Sequence, residues 1–451
     1  MKKTLGALVT GIGVLALAAG AGIATATPWA QPAQPRTVAA PQGQTGPRPA
    51  SLLCYASARS ADTGGINAVD VDERKSSWAG VFSDAAATFD GTAFTGALPQ
   101  QLLVSGAAVG VASGEGVIAG ASIQTAEAGD SRGLIAAPCE WPTNTVWLVG
   151  GASGVGNWST LMVRNASATA TTINIDVYSS TGRLEIQGLT SLSLEAGGEA
   201  TRDLTGLIPD DPRIAIRLSS ETGSFVAAMQ VLQLDGVTPA GIDMVTDSSA
   251  GTDVVIPGVV ISDSGAASLR VVNPHDEPTT VSVTTLGKEE SPLEGAQGVE
   301  VAPQSVLDLS LAGLAPGSYA FRVSANDDVA AGVSLTRTDD DGADVAWLAA
   351  REPVTRGGIS AGPHEGTLVL SGSGQVNWRS YDSEGRELDN QTLTVDKIAS
   401  VEIPAEAYYV TVEAREPMYG AALLHTETGV AWLALTQDST SSQSVRLTVA
   451  N

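Results

Sequence analysis

Apolar and polar residues alternate along most of the chain beyond residue 50, the two-residue period of strands that bury one face. Leu161-Met162-Val163-Arg164-Asn165 precedes Thr171-Thr172-Ile173-Asn174-Ile175. Leu269-Arg270-Val271-Val272-Asn273 precedes Thr279-Thr280-Val281-Ser282-Val283, at an offset of 269 − 161 = 108 positions. Each pair predicts a β-hairpin around a polar turn. Thr367-Leu368-Val369-Leu370 and Val376-Asn377-Trp378 give a third version with a shorter, glycine-rich turn. Tyr178-x-Ser180-x-Gly182-Arg183 recurs as Tyr381-x-Ser383-x-Gly385-Arg386.

A second pattern recurs downstream, with Phe225-Val226-Ala227-Ala228, Val329-Ala330-Ala331-Gly332 and Tyr419-Gly420-Ala421-Ala422 in corresponding places. Val117-Ile118-Ala119-Gly120 is its earliest copy. A third pattern closes each unit: Leu134-Ile135-Ala136-Ala137, Ile242-Asp243-Met244-Val245, Ala346-Trp347-Leu348-Ala349 and Ala431-Trp432-Leu433-Ala434. Repeats of this kind predict four units, over 51–141 (the most divergent), 142–248, 249–351 and 352–451. Short strands at sandwich-like spacing, with no helical periodicity after residue 27, predict an all-β chain of tandem immunoglobulin-like β-sandwiches. Pro316-Gly317-Ser318-Tyr319 resembles the tyrosine corner of that fold. The alternative is a β-propeller with two blades per unit.

Upstream, Lys2 and Lys3 lead an uncharged run from Thr4 to Thr27, with Ala24-Thr25-Ala26 as a cleavage signal. Residues 1–26 therefore read as a signal peptide or, since about 20 apolar residues span a bilayer, as a membrane anchor over 4–26. Both place the rest of the chain outside the cytoplasm. Residues 27–50 hold six prolines and four glutamines and read as an extended linker. Leucine at position 53 argues against Cys54 as a lipidation site.

Charge narrows the partners. Lys and Arg total 24 against 49 Asp and Glu, a formal net charge of −25. Nucleic acid and anionic lipid need the opposite sign. The two cysteines, Cys54 and Cys139, predict one disulfide in an oxidising compartment. It would close a loop of about 85 residues, for about 4–5 kcal/mol in the chain-entropy account.

Candidate chemistry is sparse. No GxSxG, SxxK, HExxH or phosphate-loop sequence occurs, and the three histidines, His275, His364 and His425, fall in turns or near strand ends. Gly150-Gly151-Ala152-Ser153-Gly154-Val155-Gly156 leads into a strand rather than the helix a phosphate site requires. Asp339-Asp340-Asp341-Gly342-Ala343-Asp344 fails the EF-hand register and reads as a solvated hairpin tip, or a looser calcium site. Trp147, Trp158 and Trp378 are the candidate sugar platforms, set against packing in the core. No catalytic residue, metal ligand or cofactor is assigned.

Cys139-Glu140-Trp141-Pro142 before Val146-Trp147-Leu148-Val149-Gly150-Gly151, with the Asn165 and Asn273-Pro274 turns, resembles a family of uncharacterised secreted actinobacterial proteins. The resemblance covers roughly residues 50–451 and implies a cell-envelope location. Two functions are expected in order: a non-catalytic array binding wall glycan or an envelope protein, or serving as a spacer, and then a glycan-processing hydrolase with a site between units.

Overall fold

Alternating β-branched and aliphatic residues give strands throughout, and the described residues of this computed structural model contain several sheets and no helix. These residues are 117–437 apart from 264, with the segments 42–44, 50–54, 75–83, 87–89, 92–94, 102–103, 109–112 and 444–446. The expected leader and most of the linker lie outside them. Among the described residues no helix is long and apolar enough to cross a membrane. Gln42–Gln44 pairs antiparallel with Ser444–Arg446 in one unit, and residues 47–441 form the other.

The alternating segments pair differently from the hairpin expectation. Asn157–Asn165 bonds to Glu199–Asp203 and Phe225–Asp235, whereas Thr171–Ser179 bonds to Ile214–Ser219 in another sheet. Leu161 and Val163 of the first strand meet Ile173, Ile175 and Val177 of the second in one core. The two strands thus face each other across a sandwich-like interior. Leu269 and Val271 meet Val281 and Val283 in the same way, in their own core. Alternation reports which face is buried, and either arrangement buries the same face. Correspondingly, the third predicted hairpin is a single 17-residue strand, Glu365–Tyr381.

The turns between facing strands are held by buried asparagines. Asn165 Nδ2 donates to the carbonyls of Thr169, Leu194 and Glu195, while Oδ1 accepts from Ser167 N. Asn273 makes the corresponding bonds to Glu277, Val301 and Ala302, and accepts from His275 N. The Asn165 side chain is therefore enclosed, its amide spent on backbone carbonyls. Tyr319 Oη donates to Ala315 O at 2.8 Å, the upstream bond expected of its corner.

The closing segments meet inside the 47–441 unit. Gly133–Pro138, Thr238–Val245, Gly342–Ala349 and Val430–Ala434 each pair with the strand before them. Gly133–Pro138 also packs against Thr238–Val245 and Val430–Ala434, and Gly342–Ala349 packs against the same two. Their faces enter different cores. Val345 and Trp347 join the core of Val146 and Leu161; Val430 and Trp432 join that of Leu269; Leu134 and Ala136 join that of Leu368 and Tyr409. Ile242 and Met244 share a core with Leu53 and Ile135. Burial on both faces explains why these segments read as nearly unbroken apolar runs.

Cys54 and Cys139 are joined by a disulfide, 85 residues apart in sequence. Leu53 and Glu140 exchange backbone hydrogen bonds beside it, at 3.0 and 2.8 Å.

Candidate functional site

Trp158 occupies the start of the strand Asn157–Asn165, where Asn157 and Trp158 lie opposite Gln233 and Leu232. Strand alternation turns its neighbour Ser159 inward and leaves Trp158 facing out, 37% exposed. The preceding glycine loop lets the chain turn tightly against its neighbours. Leu234 N donates to Gly156 O at 2.7 Å, and a side chain at Gly156 would strike that same Leu234 carbonyl. Ser153 N donates to Asp211 O, and Leu204 N to Ser159 O. These bonds bring the segments 153–159, 204–211 and 234–238 to one end of a sandwich-like layer pair. Val155, Leu207 and Val237 stand on them, fully exposed, 46% and 61% exposed. With Trp158 they make four of the five large exposed apolar side chains among the described residues. Exposed carboxylates at Asp203, Asp210 and Asp235 accompany them. Such an end offers an aromatic face beside hydrogen-bond acceptors, a combination suited to a sugar or a polar cationic group.

The other candidate tryptophans are covered. Trp147 and Trp378 are buried. Arg217 lies over Trp147, Arg270 over Trp347 and Arg351 over Trp432, each within 6 Å of the ring centre. Only Trp158 of the three proposed platforms can meet a ligand face. Its local sequence resembles that of the buried ones, so sequence reasoning did not separate it from them.

The glycine loop carries no helix behind it. Gly150 packs against Val245 and Trp347, and Gly151 O accepts from Arg270 Nη1 at 2.5 Å. Histidines are used structurally. His275 Nε2 lies 2.9 Å from Asp328 O. His364 contacts Ala361 O through Nδ1 and Thr125 Oγ1 through Nε2, and burial lowers its pKa below the usual imidazole range. His425 lies opposite Val430 in a strand pair.

The acidic run divides at Gly342. Asp339 stays near the surface, paired with Arg132 at 2.5 Å, which holds its pKa below the ordinary value against burial. Asp344 instead enters the interior, 1% exposed. Its Oδ2 accepts from Leu134 N and Val430 N at 2.9 Å, and its Oδ1 from Ile242 N at 3.0 Å. Burial pushes Asp344 up to about 7 against these three donors. Asp243, equally enclosed, accepts from Trp347 N at 2.7 Å and is raised well above the carboxylate range, by burial first. Asp344 was expected at a solvated tip; it lies two residues past the turn, inside a strand. Among the described residues no group of three or more His, Cys, Asp and Glu is placed to hold a metal ion.

A family model described as a family of unknown function (DUF5719) matches residues 101–406. Of solved structures, Thermotoga maritima 1070 aligns at 18% identity over 22% of this chain and 92% of its own, with a TM-score of 0.20. Native alpha-2-macroglobulin from Escherichia coli, spanning domains MG0-NIE-MG1, aligns at 10% identity over 64% of this chain and 97% of its own, with a TM-score of 0.11. Scores this low carry no argument about the fold. A search of curated proteins returned no match.

Proposed function

The chain belongs to the DUF5719 family, a family of unknown function, and on that premise we propose a non-catalytic protein of the cell envelope whose immunoglobulin-like sandwich units bind envelope glycan. The units are those read at 51–141, 142–248, 249–351 and 352–451. Export is supported by Lys2, Lys3 and the Ala24-Thr25-Ala26 signal, and by a disulfide that an oxidising compartment would preserve. The observation that carries binding is the end formed by Val155, Trp158, Leu207 and Val237. Four large apolar side chains gathered on one end of a chain with net charge −25 need a reason to stay in water. An aromatic face flanked by carboxylates and amides supports a sugar ring as occupant, stacked on Trp158 and bonded at its hydroxyls.

A hydrolase draws less support. Of the carboxyl groups whose proton affinity burial raises, Asp243 and Asp344 accept from backbone amides in the interior, and Asp247, raised to about 7, accepts from Trp147 N.

The test is co-sedimentation of the full chain with isolated envelopes from its source at low and high salt. Pelleting should survive salt and be competed by soluble wall glycan. Trp158→Ala should cut the retained fraction about tenfold, the worth of one lost stacking contact. Salt-resistant pelleting that protease treatment of the envelopes abolishes would replace the glycan with a protein partner. No pelleting under any condition would remove the binding role.

A further inference from the structure

The four closing segments converge on a single carboxylate. The donors to Asp344 come from the other three segments: Leu134 N, Ile242 N and Val430 N, at 2.9, 3.0 and 2.9 Å. Leu134, Ile242 and Val430 each send their side chain into a core shared with another unit. The residue before each of these donors is glycine: Gly133, Gly241 and Gly429.

The glycines make room for it. A Cβ at Gly133 would collide with the carboxylate itself, and one at Gly429 with the carboxylate and Leu134 N. At Gly241 a Cβ would strike Val345, and the positive φ of 132° suits glycine. Converging backbone amides around a space cleared of side chains form an anion site. Contacts among the segments close a circuit: Gly133–Pro138 to Thr238–Val245, to Gly342–Ala349, to Val430–Ala434, and back to Gly133–Pro138.

We propose that the closing segments of the four units form a ring around a three-amide anion site, that Asp344 is the ligand the chain itself supplies to that site, and that without this side chain the site takes up a small free carboxylate. The proposal is independent of any glycan at Trp158. Asp344 reaches the site from one segment and draws the amides of the other three toward it, so it fixes the register of all four. Arginine or lysine would put donors against donors, and asparagine would turn an N–H toward at least one amide.

The experiment compares the thermal unfolding of the full chain and of Asp344→Gly at pH 8, in formate and in chloride at matched ionic strength. The glycine variant should melt about 10 °C below the parent in chloride, from three buried amides left without an acceptor. Formate at about 100 mM should recover most of that shift saturably, and leave the parent unchanged. Asp344→Asn should lose as much and not respond, because its side chain still fills the space. Equal melting in the two salts would overturn the proposal, as would a glycine variant that melts with the parent. Should Asp344→Gly be obtained only unfolded, refolding from urea in the two salts decides: recovery confined to formate upholds the site, and equal yields overturn it.

Discussion

Three aspartates raised by burial give the stability of the chain a pH slope. Asp243 and Asp344 are each 1% exposed, and burial raises both, Asp344 to about 7 from 3.8; it likewise raises Asp247 to about 7. A carboxyl group whose pKa rises on folding favours the folded state fully below its unfolded value. That contribution is lost as pH climbs through the folded value. Stability should therefore fall as pH rises from about 4 through about 7. Asp243→Asn keeps an oxygen for Trp347 N but cannot ionise, so its slope should be shallower. Urea midpoints at pH 5 and pH 8 for both chains check this, and a parent midpoint that does not move would refute it. The asparagines of the crossings behave differently. Asn165 and Asn273 carry no charge and satisfy carbonyls on both sides of each crossing, which holds at any pH.

Among elements, the closing strands do most to join the structure. Gly429 illustrates how tightly they approach. A Cβ there would press on Leu134 N, on Asp344 Oδ2, and on the carbonyl carbon of Gly133 at 2.8 Å. Backbone atoms of a strand buried on both faces cannot give way, so Gly429→Ala should cost about 3 kcal/mol. Gly251→Ala, where the nearest atom would lie 3.9 Å away, should cost under about 1 kcal/mol. Equal urea midpoints for the two variants would contradict this. The strands themselves were legible: apolar periodicity located them, and the unbroken runs Leu134–Ala137 and Ala431–Ala434 already marked the closing ones. What the period could not reveal was the pairing. Leu161 and Ile173 look like partners in a hairpin, yet they face each other from different sheets, because burial of one face is all that alternation encodes. Asp344 was hidden by its company, five other polar or small residues from Asp339 to Ala343. The readable signal was its place beyond Gly342, on the strand side of the turn. Trp158 was hidden for the opposite reason. Exposure at the end of a layer depends on which neighbouring segments stop short, and no local pattern records that.

For the whole molecule, the sharing of cores sets how it comes apart. Trp347 belongs to the core of Leu161, Trp432 to that of Leu269, and Leu134 to that of Leu368. No unit can lose its closing strand without opening another, so residues 47–441 should unfold in one calorimetric transition with equal calorimetric and van't Hoff enthalpies. Several resolved transitions would mean that the units stand alone. The order of the chain bears on a further property. Cys54 lies at the head of the described 47–441 unit, and its sulfur bridges directly to Cys139, just past the first closing strand. Leu53 and Glu140 are stitched together beside it. A pull on the chain ahead of Cys54 does not travel through the 84 residues that lie between the cysteines. It passes across the sulfur bridge to Cys139 and on to Glu140 and the strand Thr145–Val149. The first unit, closed inside the bridged loop, is thereby shielded from mechanical load, which falls instead on the units that follow.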